Sequence, residues 1–575
     1  MMHPEASFPF MVDWMLPAVP PAFVFLAGAA AVALAGSRIR LRQGLLLAVP
    51  VLGLLNLAAL DSDASWVWHV LDFELEQVRV DRLSLLFGLL FHVGALLGVI
   101  YALCVRDAPQ HVAALVYAGS ALGAVFAGDL ITLFFYWEGM AIASAFLVWA
   151  RRDALSYGAG LRYLVLHMLS GLLLLVGALM SYRATGDIGF DFIGTENVAG
   201  WLILGAIGIK CGFPLLHNWI IDAYPQSTPS GTVFLSMFTT KVAVYALARG
   251  FPGTEILITV GTIMAVFPIF YAVIENDLRR VLGYSMINQI GFMVVGVGIG
   301  TELALNGAVA HAFNEVLFKG LLFMSMGAVL LRVGHVLGSN LGGLYKSMPL
   351  TTVFCIVGAA SISAFPLFSG FVSKSMIMAA MIEHGSYWLW LALLFASAGV
   401  FHHAGIKIPY FAFFAHDSGI RTEEAPRNML IAMALAAAGC IFIGVYPAYL
   451  YALLPWEAGY VPYTYPHVIV QLQLLLFSAL AFAWLKLTGI YPPELRSVNL
   501  DADWVYRRFV PRLAQPFIAS AGTVRRAAAQ LADNGTATLR EAAKTVRPVP
   551  GAGTAVLFVS VALAGYLFIY FVARG

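Results

Sequence analysis

The stretch Gly208-Ile-Lys-Cys-Gly-Phe-Pro-Leu-Leu-His-Asn-Trp-Ile-Ile-Asp-Ala-Tyr-Pro-Gln-Ser-Thr-Pro-Ser230 decides how this chain is read. It continues through an apolar run to Thr240-Lys-Val-Ala-Val-Tyr-Ala-Leu-Ala-Arg249. Lys210 and Lys241 sit inside segments that are otherwise apolar enough for membrane helices. Pro214 follows Lys210 by one helical turn, and proline in a helix interior removes a hydrogen bond and breaks the helix. An ammonium at mid-bilayer costs about 2.5–3.5 kcal/mol on insertion scales. Lysines placed there face a polar interior, and they point to ion or proton movement.

The rest of the sequence supports a membrane setting. Of its 575 residues, 61% are hydrophobic and 11% charged, against about 25% charged in soluble domains. Apolar windows of about twenty residues, enough to cross a hydrocarbon core about 30 Å thick, recur along almost the whole length. The short alternating segments of a β-barrel are missing. The expected class is an all-α polytopic membrane protein. Cys104, Cys211, Cys355 and Cys440 form no Cys-x-x-Cys pair, which argues against iron–sulfur ligation and a disulfide framework; each reads as a small buried side chain. There is no Walker A sequence, and Gly296-Val-Gly-Ile-Gly300 lies inside an apolar span rather than between a strand and a helix. No metal-ligand spacing stands out. No metal or cofactor is expected, and the N-terminal stretch lacks the basic region of a cleaved leader.

Hydropathy predicts sixteen spans near 16–36, 43–60, 82–104, 110–128, 130–150, 160–182, 198–216, 229–249, 255–275, 280–300, 305–331, 350–380, 388–412, 428–448, 466–487 and 553–573. Alternate connections carry the basic residues: Arg38, Arg40 and Arg42; Arg106; Arg151 and Arg152; Arg279 and Arg280; Arg332 and Lys346; Arg421 and Arg427. The positive-inside rule places those connections in the cytoplasm and both termini outside, in the cell inner (plasma) membrane. The connection holding Asp61, Asp63, Asp72, Glu74 and Glu76 is mostly acidic and faces out. Stretch 488–552 is too polar to cross, carries many arginines, and includes an Ala-rich part from Val524 to Val546 expected to lie amphipathically at the interface. Aromatic residues between Tyr446 and Tyr465 read as interfacial.

Phe213-Pro-Leu in span seven is echoed by Phe365-Pro-Leu in span twelve. Interrupted helices at matching points of two halves mark the site of many transporters. Five spans separate the echoes, so five-span units would enter from opposite sides and be inverted.

The intramembrane charges give the candidate chemistry. Glu138 lies mid-span five, Lys210 in span seven, Lys241 in span eight, Lys319 in span eleven and Lys374 just after the Pro366 break. His311 and Glu315 precede Lys319, and His402 and His403 precede Lys407. These four with Lys407 are auxiliary candidates; for His402, His403 and Lys407, snorkelling toward a membrane face is an equal alternative. His167 and His217 read as satisfied polar residues, and Asp222 and Tyr224 as organisers of a turn before Pro225. Desolvation and a nearby carboxylate act in opposite directions on a lysine. A Glu138–Lys210 pair could therefore hold a proton when tight and release it toward Lys241 when open.

The run from Gly208 to Arg249 resembles the signature of the proton-translocating antiporter-like family. Its members include the D and A subunits of Mrp-type Na+/H+ antiporters and the antiporter-like subunits of respiratory complex I and membrane-bound hydrogenases. Trp137-Glu138, Asp277-Leu-Arg-Arg-Val-Leu-Gly-Tyr-Ser285, His311-Ala-Phe-Asn-Glu-Val-Leu-Phe-Lys-Gly-Leu-Leu322 and Pro366-Leu-Phe-Ser-Gly-Phe-Val-Ser-Lys374 extend the resemblance over roughly residues 110–410. It implies two inverted five-helix repeats with helices seven and twelve broken. It also implies that Glu138, Lys210, Lys241, Lys319 and Lys374 are the proton-transfer residues. Gly139 stands where many relatives have leucine, and His402-His-Ala-Gly-Ile-Lys-Ile-Pro-Tyr410 looks most like relatives of the Mrp D type.

The expected organisation is 1–109 (three N-terminal spans), 110–250 and 251–412 (the repeats), 413–487 (two spans), 488–552 (the interfacial segment) and 553–575 (a terminal span). The expected function is a proton-translocating subunit of a multisubunit cation/proton antiporter, similar to the Mrp D component. It would work beside other membrane subunits and the lipid bilayer, with protons and Na+ as ions and no nucleic acid, and would be no enzyme by itself. The alternatives are a proton-pumping, non-redox subunit of a complex I-like NADH:quinone oxidoreductase or hydrogenase, and a membrane coupling subunit for inorganic carbon uptake.

Overall fold

In the computed structural model the described residues are 19–60, 66–70, 73–457, 459–492, 494–495, 499–509 and 512. The chain divides into two units, Met1–Asp501 and Ala502–Gly575. Among its described residues the first is mostly helical. Its helices are α1 (Pro21–Ala35), α2 (Ile39–Ala58), α3 (Arg82–Ala102), α4 (Ala108–Phe126), α5 (Leu130–Trp149), α6 (Ala154–Thr185), α7 (Val198–Cys211), α8 (Asn218–Ala223), α9 (Pro229–Met237) and α10 (Thr239–Gly250). There follow α11 (Ile256–Ile274), α12 (Leu278–Ile299), α13 (Glu302–Val333), α14 (Pro349–Ile362), α15 (Ser369–Glu383), α16 (Tyr387–Val400), the single turn α17 (Lys407–Pro409), α18 (Arg427–Val445), α19 (Pro447–Tyr451) and α20 (Tyr465–Leu487). Of the second unit, the described part is a π-helical turn, Val505–Phe509, with Asp503 and Arg507 paired at 2.9 Å.

Among the described residues, eleven helical stretches are long and apolar enough to cross a membrane. Pro21–Ala35, Val198–Cys211 and Pro349–Ile362 are shorter apolar helices. The expected span at 553–573 and the amphipathic stretch from Val524 to Val546 lie outside the described residues. α9 and α10 together form one such stretch and turn at Phe238. The stretch Tyr387–Phe414 contains two π-helical segments, Phe401–Ile406 and Tyr410–Phe414, on either side of α17. Pro409 explains part of that distortion, since it cannot donate to the ladder. The sequence expected continuous helices in both places.

Helix ends follow side-chain chemistry. Asp81, Asp129, Asp153 and Asp277 each accept backbone N–H bonds at the start of α3, α5, α6 and α12, satisfying donors that a helix start leaves free. α6 and α13 both have 32 residues, begin on a capping side chain, and end at a left-handed glycine, Gly186 or Gly334. At 1.5 Å per residue each is about 48 Å long, longer than a bilayer core is thick. Asp129 bridges Gly189, and Asp277 bridges Leu337 in the same antiparallel way.

The broken helices differ in detail from the sequence expectation. α7 ends at Cys211, and Gly212 (φ 77°) already leaves the helix before Pro214 arrives. α14 ends at Ile362, with Ala364 at φ 56°. The leucine after each proline is left-handed, Leu215 at 71° and Leu367 at 72°. Such a conformation costs a residue other than glycine roughly 1–2 kcal/mol. The two breaks therefore share a strained backbone as well as a tripeptide.

Three further expectations need correction. The acidic connection forms an antiparallel hairpin, β1 (Trp66–Val70) with β2 (Phe73–Val78), in an otherwise helical unit. Its partner is the start of α5: the Glu76 N–H donates to Asp129 at 2.7 Å. Cys104 is exposed, unlike the other three cysteines. Asp222 lies on α8 and pairs with Arg162 at 2.7 Å, and the buried Tyr224 hydroxyl donates to the Leu235 carbonyl, so neither merely shapes a turn.

The basic connections meet at one end of the bundle. Arg42 donates to the Arg106 carbonyl, Arg152 pairs with Asp107, and Arg151 donates to the Pro225 carbonyl. Asn276 donates to Ser339, and Lys346 pairs with Asp417. The fully buried Arg279 fans out to the carbonyls of Tyr224, Pro225 and Ser227 and to the Thr232 hydroxyl.

Candidate functional site

The candidate residues come from several helices of the bundle. Glu138 stands on α5, one residue after the buried Trp137. Its carboxylate oxygens are buried and have no hydrogen-bond partner among the described residues. They lie directly against Gly171 of α6, where a Cβ would overlap Oε1. The Trp137 ring is fixed by its Nε1–H donating to Ser170 at 2.9 Å, and Ser170 donates on to the Ala206 carbonyl.

Lys210 occupies the last turn of α7 and is fully buried. Its Nζ donates to the Trp137 carbonyl at 2.7 Å and sits 4.5 Å over the Trp137 ring, a favourable place for a cation. Glu138 and Lys210 do not form the direct ion pair the sequence suggested. Lys210 reaches the Trp137 carbonyl from α7, while the Glu138 carboxylate lies against Gly171 of α6. Each remains within electrostatic reach of the other.

The direct pair is elsewhere. Lys241, in the first turn of α10, meets Glu315 of α13 at 2.8 Å, and both are fully buried. Lys241 also donates to the Ser236 carbonyl at 3.0 Å and to the Thr240 hydroxyl. The α9–α10 interruption supplies that carbonyl, because a turn of helix there would have used it. Glu315, only an auxiliary candidate in the sequence, is the carboxylate nearest the centre of the row.

Beyond it, Lys319 donates to Ser285 of α12 at 2.8 Å. His311, one helical turn before Glu315, is fully buried. Its Nδ1 meets the Ser373 hydroxyl at 2.9 Å and its Nε2 meets Gln289 Oε1 at 3.1 Å. Gln289 in turn donates to Asn288. Lys374, on α15, donates to the Ile362 carbonyl at 3.2 Å and lies 4.9 Å over Phe292. Ile362 is the last residue of α14, so the second helix break also frees a carbonyl that holds a lysine.

His402, His403 and Lys407 all belong to the π-distorted stretch, and Lys407 does not snorkel. It is fully buried, 3.0 Å from Glu494, and donates to the carbonyls of Ala272, Val273 and Glu275 at the end of α11. Two residues read from the sequence as satisfied polar groups prove noteworthy. Both nitrogens of His167 lack a partner among the described residues, with its ring 4.0 Å from Tyr163 and 4.5 Å from Trp219. His167 feels the charge of Lys210. His217 is 3.3 Å from Asp501, which also accepts from Tyr284 at 2.7 Å. No periodicity marks His167; its nearness to the charge of Lys210 depends on how α6 packs on α7. Among the described residues no group of His, Cys, Asp and Glu is arranged to hold a metal.

Comparison with known proteins fits this arrangement. The chain is 27% identical over 354 residues to hydrogenase-4 component B of Escherichia coli, covering 54% of this chain and 53% of that protein. It is 30% identical over 323 residues to the D subunit of the Na(+)/H(+) antiporter of Alkalihalophilus pseudofirmus, covering 52% and 64%. The chain thus spans about half to two thirds of these relatives. Its fold is similar to a chain in the membrane-bound sulfane sulfur reductase, an archaeal respiratory membrane complex, with a TM-score of 0.70 at 22% identity over 95% of this chain and 99% of that one. Residues 127–399, which hold Glu138, Lys210, Lys241, Lys319 and Lys374, match the family model described as NADH:quinone oxidoreductase/Mrp antiporter, transmembrane. Over these residues, just under half of its length, the chain is similar to that family of membrane proteins.

Proposed function

We propose that this chain is the proton-translocating subunit of a multisubunit cation/proton antiporter of the Mrp type. The observation that carries the reading is the fully buried series of Lys210, the Lys241–Glu315 pair, Lys319, His311 and Lys374. Amines close together in a low-dielectric interior feel one another's charge strongly. A proton arriving on one favours release from the next, so charge passes along the row. Glu138 controls one end: the approach or retreat of its carboxylate changes how firmly Lys210 holds a proton. The carbonyls freed at the α9–α10 turn and the α14 break give Lys241 and Lys374 polar partners inside the bilayer. His311 is satisfied on both nitrogens and can relay between Lys319 and Lys374.

The matching lengths of α6 and α13, the paired Asp129 and Asp277 bridges, and the two left-handed leucines favour two inverted five-helix repeats in a sixteen-span protein. The shared end of the basic connections favours a cytoplasmic face there, in a plasma membrane, with both termini outside. Na+ would be exchanged by the assembled complex. A redox-driven proton pump of the complex I or hydrogenase kind is the second reading. It is favoured by the match of nearly the whole chain to a component of a respiratory complex.

The decisive measurement is ΔpH- or cation-driven proton flux in proteoliposomes holding the purified complex. Lys210→Ala and Glu138→Gln are each expected to abolish it while the complex still assembles. Normal flux in either variant overturns the charge-switch mechanism. Na+ exchange in the intact complex, set against quinone- or hydrogen-driven pumping, separates the two readings.

A further inference from the structure

The stretch following α20 carries a carboxylate that the proton row does not use. Glu494 is nearly buried, and its Oε1 lies 3.0 Å from Lys407 Nζ. Asn499 reaches Glu275 at 3.4 Å and Asp501 reaches His217 and Tyr284, so the same stretch lies against the basic end of the bundle. Lys407 sits between the two π-helical segments, and π-bulges gather at functional sites. Four residues before it, His403 is fully buried, and neither ring nitrogen makes a well-formed hydrogen bond among the described residues. The charges that act on His403 come from Lys319, His402 and Lys407. It is thus within electrostatic reach of both the central row and Lys407.

We propose that Glu494 is the mouth of a side port through which protons pass between the basic-loop face and Lys319, by way of Lys407 and His403. The port rests on the proton-translocation reading above and adds an entrance to it. In the inward direction, a proton from water forms the O–H bond of Glu494. Transfer to Lys407 breaks that bond, forms an N–H bond and restores the carboxylate. Lys407 gives a proton to one His403 nitrogen, and His403 passes one to the Lys319 amine; no charge is left behind once each group has reset. Gaps longer than a hydrogen bond are crossed through a bridging water. The groups facing Glu494 are Lys407 on α17, Lys486 at the end of α20, Glu275 after α11, and Tyr491 on its own stretch; Arg280 of α12 pairs with Glu275. Burial, opposed by Lys407 and Lys486, raises the Glu494 carboxyl from its ordinary value. That brings it nearer the working pH, where a proton-exchanging group is most effective.

The test uses the purified complex in proteoliposomes, reading the initial rate of proton flux against pH. Glu494→Gln is expected to slow flux about tenfold or more, the scale of removing a proton-transfer group. Glu494→Ala is expected to regain flux when formate, a small diffusible acid, is added. Glu494→Asp keeps the ion pair and is expected to conduct with a displaced pH profile. Wild-type flux with an unchanged profile in Glu494→Gln, while Lys210→Ala is blocked, overturns the port and leaves translocation standing. No proton flux in the wild-type complex overturns translocation and the port together. If Glu494→Gln does not assemble, the Glu494→Asp profile decides: a displaced profile supports the port and an unchanged one overturns it.

Discussion

Gly171 shows how one hydrogen atom can set up a site. Its missing side chain makes the room that the Glu138 carboxylate occupies. In Gly171→Ala the methyl gains about 1 kcal/mol of helix propensity, yet it must push the carboxylate away. The expected outcome is a complex that melts no lower than wild type but conducts as poorly as Glu138→Gln, checked by thermal denaturation beside flux. Lys241 and Glu315 make the opposite case, since each is the other's partner. Glu315→Leu leaves an uncompensated amine and is expected to cost about 3–5 kcal/mol. Lys241→Leu with Glu315→Leu removes both charges and should recover most of that stability without recovering flux. A double-mutant cycle on melting temperature tests this, and an additive result would mean that the pair is not coupled. The lysines were legible in the sequence because charge in an apolar span is costly. Their partners were not, because the distance from Lys241 to Glu315 is set by the packing of α10 on α13.

At the scale of elements, the breaks matter more than the helices. Each break frees backbone carbonyls, and lysines take several of them: Lys374 at α14, Lys241 at the α9–α10 turn and Lys407 at the end of α11. The segment after α8 also depends on one side chain, because Arg279 ties the carbonyls of Tyr224, Pro225 and Ser227 to α12. Lysine lacks the planar fork needed for several acceptors at once. Hydrogen bonds to a charged group are each worth about 1.5–3 kcal/mol, so Arg279→Lys is expected to lower stability by at least that much. A fluorescence-monitored melt of the complex checks it; an unchanged midpoint would make Arg279 a bystander. Phe-Pro-Leu in the sequence announced two breaks. It did not announce that Gly212 and Ala364 leave the helix first, nor the turn at Phe238, where no proline or glycine stands.

Across the whole molecule, the basic connections are fastened to one another as well as distributed by sign. On the surface, Arg421 and Lys346 hold the Asp417 carboxyl well below its ordinary value. A carboxyl lowered on folding contributes stability above its unfolded value, about 3.9, and loses it as the pH falls through the folded value. The link is exposed, so salt screens it. Asp417→Asn is therefore expected to lower the melting temperature slightly at neutral pH and low salt. The difference from wild type should vanish at high salt and in strong acid. A difference that persists at high salt would show that Asp417 acts through something other than charge.

The sequence by itself determined the membrane class, the end that carries the basic connections, and the burial of the span lysines Lys210, Lys241, Lys319 and Lys374. Hydropathy and the cost of moving charge into hydrocarbon are local properties, and each can be read from a window of residues. Only the tertiary structure decided which charge meets which. It separated Glu138 from Lys210, joined Lys241 to Glu315, and brought Glu494 to Lys407 from 87 positions along the chain. Those meetings depend on side-chain direction and helix packing, and no spacing in the sequence encodes the gap between two helices.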